Sequence, residues 1–177
     1  MKKAQATFDL QPTLRGDLVE LTPLSEADRD ALFAVAADPL IWEQHPVKER
    51  SQESGFRTFF DEALASGGAL LARDRRDGRV IGSSRFHGYD AAASEVEIGW
   101  TFLARSHWGG LYNREMKDLM LKHAFRFVER VVFLVGPQNL RSQRAVLKIG
   151  GVPFGQRPDG RGGESLVYAI TRASYRG

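Results

Sequence analysis

The sequence predicts an α/β fold of the α+β kind, one domain over residues 1–177. Three observations lead there. Period-2 apolar patterns alternate with period-3.6 ones along the whole chain, in the order β-α-α-β-β-β-α-β-α-β-β. Composition is that of an ordinary globular protein, with 42% apolar and 27% charged residues. A length of 177 residues makes one such domain the natural expectation, and a glycine-rich turn in mid-chain joins an alternating strand directly to an amphipathic helix.

The elements follow in order. Residues 13–22 alternate around Gly16-Asp17 and read as a first strand or hairpin. Ser25, with Asp28 three residues on, caps a helix whose apolar face holds Leu32, Phe33 and Ala36 and which Asp38-Pro39 stops. A bend follows with Pro39, Trp42, His45 and Pro46, in which Trp42 reads as exposed. It serves either as a connection between helices or as a wall of a binding pocket. Phe56, Phe59, Phe60, Ala63 and Leu64 predict a helix over 51–65, ended by Gly67-Gly68. Strands are predicted at 69–73 and 79–86, joined by a turn containing Asp77-Gly78. After an alanine-rich linker comes the strand 94–103. Residues 110–128 form a helix with Tyr112, Met116, Leu119, Met120 and Phe127 on one face. A β-branched strand at 131–135 precedes a helix from Asn139 to Lys148, and strands near 152–157 and 165–171 close the domain around the turn Asp159–Gly163.

Charge and composition narrow the function only a little. The net charge is +3 and the pI about 9.4, which suits a polyanionic ligand but also many proteins with none. The arginines are scattered, so nucleic acid is not expected as the main ligand. Without cysteine there is no disulfide, thiolate metal site or Cys nucleophile. His87, His107 and His123 are scattered and show no ligand-like spacing, and no metal is expected. Met1–Pro12 carries two lysines without an apolar run, unlike a secretory signal, and no transmembrane stretch appears. A cytoplasmic location is the expectation that follows, without a membrane partner.

Two stretches carry the chemistry. In Glu97–Lys122 the strand alternates, with Glu97, Gly99 and Thr101 on one face against Ile98, Trp100 and Phe102 on the other, and then runs through Ser106-His107-Trp108-Gly109-Gly110 into a helix. Unpaired N–H groups and the positive dipole end at such a helix start favour an anion, and glycines there let a phosphate approach the backbone. Turn chemistry alone also explains a Gly-Gly pair. The second stretch is Asn139-Leu140-Arg141-Ser142-Gln143-Arg144-Ala145-Val146-Leu147-Lys148-Ile149-Gly150, readable as a capped amphipathic helix in its own right.

The turn resembles the pyrophosphate-binding Gln/Arg-x-x-Gly-x-Gly/Ala signature of the GNAT superfamily of N-acetyltransferases. Ser106-His107-Trp108-Gly109-Gly110-Leu111 is its counterpart, and Ser106 and Leu111 depart from it. Trp108 and Glu115 point to the RimJ/RimL-like, ribosomal-protein alanine N-acetyltransferase type of branch. The second stretch is similar to the family's Asn-x-x-Ser/Ala-x-x-x-x-x-Lys-x-Gly helix, with Asn139, Ser142, Lys148 and Gly150 in register. This resemblance spans nearly the whole chain. It implies a mixed, mostly antiparallel sheet of six to seven strands, about four flanking helices, and fourth and fifth strands that splay to admit acetyl-CoA as cosubstrate.

By the same resemblance the cofactor would contact Trp100, Phe102 and Leu103 at the open strand edge, and Arg105, His107, Trp108, Gly109, Gly110 and Leu111 at the turn. Asn139, Ser142, Arg144 and Lys148 would serve from the later helix. Arg105, Arg141 and Arg144 could pair with its phosphates or be solvated.

Acetylating an amine needs a base for the ammonium, a held carbonyl and a proton for the thiolate. Glu97 and Glu95 share a strand face beside the open edge. Glu97 is the candidate base, and Glu95 reads rather as solvated. Many family members protonate the thiolate with a tyrosine, but Val146 stands at that position. Ser142 is the candidate the branch suggests, with Tyr168 behind it. Asn113 and Lys117 read as plain surface positions. The function expected is acetyl transfer to a primary amine, a protein N-terminus or a small molecule, by direct attack on the thioester. A protein that binds acyl-CoA with little activity is the alternative, and a basic RNA-associated module a third. Oligomeric state stays open, with a homodimer in view because such families often pair.

Overall fold

The computed structural model describes residues 7–177. Eight strands form one sheet in the order β1-β2-β3-β4-β5-β6-β8-β7, antiparallel except for β5 and β6. The strands are β1 (Leu14–Arg15), β2 (Val19–Pro23), β3 (Ala69–Asp74), β4 (Val80–Asp90), β5 (Glu95–Leu103), β6 (Arg130–Val135), β7 (Val152–Pro158) and β8 (Glu164–Thr171). The helices are α1 (Arg29–Ala36), α2 (Glu53–Ser66), α3 (Leu111–Ala124) and α4 (Leu140–Lys148). The sheet exceeds the expected six to seven strands because Gly16-Asp17 makes a true hairpin, with Leu14 opposite Leu21.

The two faces of the sheet bury different helices. On one face, Met116, Met120, Leu121 and Ala124 of α3 and Val146 of α4 pack with Val96, Ile98 and Phe86 of the sheet. On the other, Phe56, Phe59, Phe60 and Ala63 of α2, with Leu32 and Ala36 of α1, cover Ala69, Leu71 and Phe102. Side chains of this size contribute roughly 1.5–3 kcal/mol each on burial, so both layers stabilise the sheet between them. Trp42, expected at the surface, lies in this second layer against Phe59 and Phe102, and its indole N–H donates to the Ala36 carbonyl at 2.7 Å. The linker after residue 86 is shorter than expected, since β4 continues to Asp90.

Two features open the sheet. β5 and β6 pair only through Glu95–Arg130, Val96–Val131 and Glu97–Val132. Beyond Glu97 they diverge. β5 also carries a bulge, because Ser83 faces Phe102 while Arg85 faces Gly99, and Trp100 takes a φ of 52°. One extra residue reverses the alternation that follows it. Glu97, Gly99, Trp100 and Phe102 therefore share the α2 face, whereas Thr101 turns to the α3 face. The sequence pattern had placed Trp100 and Phe102 opposite Glu97.

Candidate active site

The divergence of β5 and β6 creates a cleft of about 520 Å³ through the sheet. On the α3 face it is bounded by Asn113 and Lys117 of α3 and by Ser142 and Val146 of α4. Toward the α2 face it reaches Glu97, Trp100, His87, Arg50 and the bend at Trp42, His45 and Pro46. That bend is fixed by α4: Gln44 Oε1 accepts from the Arg141 N–H at 3.0 Å, and the Arg141 guanidinium donates to the Ile41 carbonyl at 2.7 Å. Of the two readings of this segment, the structure shows a connection that is also a cleft wall.

Glu97 stands where pairing between β5 and β6 ends. Burial raises its pKa to about 7, the Arg157 and Arg85 charges opposing and the Glu95 charge adding. Such a carboxylate exchanges protons near neutral pH. Glu95, two residues earlier, is not the solvated group that its pattern suggested. It is buried and holds Arg130 at 2.9 Å and Arg157 at 2.8 Å, which keep its pKa low despite the burial. The pair thus divides into a structural carboxylate and a free one.

Lys117 is a residue that helical periodicity could not find. It is only 5% exposed, and its ammonium donates to Thr101 Oγ1 on β5 and lies 5.8 Å from the Phe133 ring centroid. Desolvation lowers its pKa to about 7. A lysine four residues after Asn113 on a partly charged helix looks like a surface position, and only the bulge that turns Thr101 toward α3 makes the pairing.

The turn before α3 is built from below. Asp74, at the end of β3, accepts from His107 Nε2 at 2.9 Å, Tyr112 Oη at 3.1 Å and Arg76 at 2.7 Å. These bonds hold its carboxyl far below the usual range, with the Arg76 guanidinium the largest cause. His107 is consequently buried, and its imidazole is a strut of the turn, unavailable to a ligand. Glu115, on the first turns of α3, accepts from the backbone N–H groups of Asp17, Leu18 and Val19 at 2.7–2.8 Å and so secures the β1–β2 turn. Above the strut, Gly109 and Gly110 have φ near 107° and 109°, and nothing lies within 4 Å of where a Cβ would be. Only glycine adopts that backbone readily, and the space over it is open to an anion.

The remaining expected residues are placed as follows. Glu97, Trp100, Asn139 and Ser142 come together in the cleft lining. Phe102 and Leu103 do not, since both side chains are buried in the core and offer only backbone. Arg105 is turned away to Asp38 at 2.5 Å. Trp108 donates its indole N–H to the Leu103 carbonyl at 3.0 Å and lies beneath the Arg141 guanidinium, 4.3 Å from the ring centroid. Leu111 points outward, 71% exposed, and does not close the turn. Asn139 caps α4, accepting from the Ser142 N–H at 3.2 Å. Arg144 and Lys148 are exposed on α4, outside the cleft lining. Tyr168 is buried, its hydroxyl 3.5 Å from Gln143 Oε1. Among the described residues no cluster of His, Asp and Glu is arranged to hold a metal ion, and no helix is long and apolar enough to cross a membrane.

A mixed sheet opened between two parallel strands, with a glycine turn and helix start on one face and a buried carboxylate toward the other, is the architecture of acyl-CoA-dependent acyltransferases. The chain belongs to the GNAT family: the family model for the acetyltransferase (GNAT) domain matches residues 19–152. The family uses acetyl-CoA as acyl donor and binds an acceptor besides. Solved structures agree on the fold. An N-acetyltransferase related to GCN5, from Brucella melitensis, superposes with a TM-score of 0.81 at 19% identity, over 97% of this chain and 82% of the other. The acetyltransferase from Agrobacterium tumefaciens C58 gives 0.71 at 28% identity, over 91% and 95%. RimJ from Mycobacterium smegmatis, in complex with CoA-disulfide, gives 0.64 at 21% identity, over 88% and 82%. At that identity the likeness to RimJ speaks for the fold alone. No curated protein matches the chain.

Proposed function

We propose that this chain, as a single domain, transfers the acetyl group of acetyl-CoA to a primary amine by direct attack on the thioester, with Glu97 as general base. The observation that carries this reading is the position of Glu97, a carboxyl with a pKa near 7 at the apex of the cleft. The acceptor ammonium gives a proton to Glu97, its nitrogen forms the new bond to the carbonyl carbon, and the C–S bond breaks with the electron pair leaving on sulfur. The bulge at Trp100 leaves backbone outside the β4–β5 ladder, a source of N–H donors for the carbonyl oxygen. Ser142 and Lys117 both line the α3 side of the cleft. Lys117, with Thr101, is the better placed source of the thiolate's proton, because its desolvated ammonium gives a proton up near neutral pH. The diphosphate of the donor would rest at Gly109 and Gly110.

The alternative, a protein that binds acyl-CoA with little activity, draws on Ser106, Leu111 and Val146. The outward position of Leu111 and the presence of Lys117 beside Val146 in the cleft lining both favour the transferase. The RimJ/RimL-like branch would make the acceptor a protein N-terminus, and small amines are the other class. Titration of the protein with acetyl-CoA, followed by a thiol-release assay over an amine panel with Glu97→Gln and Ser142→Ala, tests the reading. Micromolar binding and release that depends on both amine and Glu97 are expected. Absence of binding at millimolar acetyl-CoA would refute it.

A further inference from the structure

Two arginines stand on the α2 side of the sheet beside the cleft, Arg50 in its lining and Arg85 against the lining residue Trp100, itself outside the lining. Arg85, on β4, is 4% exposed and forms no ion pair among the described residues. Its Nε and Nη2 are the only buried side-chain polar atoms among the described residues that lack a hydrogen-bond partner. Aromatic faces hold it in place: its guanidinium carbon is 4.3 Å from the Trp100 ring centroid and 5.8 Å from that of Phe59. Arg50, in the segment before α2, sits at 4.8 Å from the same Phe59 ring and lines the cleft. Its one polar side-chain contact is His45 Nε2 at 3.2 Å, a neutral ring because burial and the Arg50 charge hold its pKa near 3. Stacking orients a guanidinium but accepts none of its hydrogen bonds, and buried donors are as a rule satisfied. Two buried, pre-oriented arginines around one phenyl ring, neither with a carboxylate partner, suit a compact anion, Arg50 from the cleft lining and Arg85 from the layer beneath it.

Strand register says how far this anion lies from the reacting amine. Arg85 is opposite Gly99, and His87 is opposite Glu97. Arg85 and Glu97 are therefore diagonal neighbours on one face, a spacing of about 7–8 Å with the Cβ atoms somewhat closer. An amine at Glu97 and an anion at Arg85 and Arg50 then belong to one short molecule. The cleft volume, shared with the donor's pantetheine arm, also suits a small acceptor.

We infer that the acceptor is a small amino carboxylate, whose amine meets Glu97 while its carboxylate pairs with Arg85 and Arg50. This rests on the acetyl-transfer reading for the amine, but the anion site stands on the arginines and is tested separately. Thermal melts of the full chain, with and without CoA, are recorded with the common amino acids and β-alanine, each beside its carboxamide. Aminoalkylphosphonates form a third arm. At least one carboxylate should raise the melting temperature while its amide does not, and Arg50→Met should remove the shift. Arg85→Met should do the same if it folds; Arg85→Lys keeps the charge without the fork and should retain only part of the shift. In acetylation assays the same carboxylate should exceed its amide by at least tenfold in kcat/KM, a ratio that Arg50→Met brings toward one through KM. Failure of every carboxylate to shift the melt, a preference for phosphonates alone, or amides acetylated as well as acids would overturn the inference and leave acetyl transfer standing. A carboxylate shift without any acetyl-CoA binding would instead overturn the transferase reading and leave the anion site.

Discussion

Glu97 and Lys117 are held in the cleft at a cost to the fold, and that cost is measurable. Burial raises the Glu97 pKa from 4.5 to about 7, so the stability its neutral form brings is full below about 4.5 and is lost as pH rises through 7. Glu97→Gln should therefore melt higher than the parent at pH 8, by on the order of 2 kcal/mol, and match it near pH 4. Lys117 runs the other way. Its pKa is lowered from 10.5 to about 7, so stability is full above about 10 and is lost as pH falls toward 7. Lys117→Met should raise the melting temperature at pH 6, with the gain shrinking as pH approaches 10, while turnover drops about 10²-fold and the acetyl-CoA Kd barely changes. A variant equally active to the parent would remove Lys117 from the reaction. Glu97 could be read in the sequence because strand alternation before the bulge sets its face. Lys117, Arg50 and Arg85 could not, since sequence says nothing of a cation's partner: Lys117 read as a surface position, and the two arginines were among the many scattered along the chain.

At the scale of elements, the turn before α3 is braced by hydrogen bonds to Asp74. Asp74 of β3 holds His107 of the turn and Tyr112 of α3, and Gly109 and Gly110 supply the left-handed backbone. Gly110→Val places a β-branched residue at φ 109°, a strain of about 1–3 kcal/mol. It should lower the melting temperature and weaken acetyl-CoA at least tenfold by titration, whereas Leu111→Ala, at an exposed position, should do neither. The order of helices and strands was legible from periodicity, down to the glycine turn and the Asn139 cap. The bulge was not. A strand with one extra residue keeps its composition and breaks only its phase, so Trp100 and Phe102 were assigned to the wrong face and Thr101 to the other. Burial of His107 was equally hidden, because its partner Asp74 lies 33 residues earlier on another strand.

For the whole molecule, the two helical layers sit on opposite faces of one sheet, and in the proposed reaction the cleft between β5 and β6 is where donor meets acceptor. Binding acetyl-CoA to the native state alone should stabilise it by about 2.7 kcal/mol at a concentration one hundred times Kd, visible as a concentration-dependent rise in melting temperature. Gly110→Val should need more ligand for the same rise. The central claim is that Glu97 takes the amine's proton across this cleft. The pH dependence of kcat/KM for acetyl transfer, measured on the parent and on Glu97→Gln with one amine, tests it most directly. The account predicts a bell in the parent with both limbs near 7, whose acidic limb moves up to the amine's own pKa in Glu97→Gln, with a rate lower by about 10²–10³-fold at pH 7. An unchanged limb in the variant, or an undiminished rate, would contradict it.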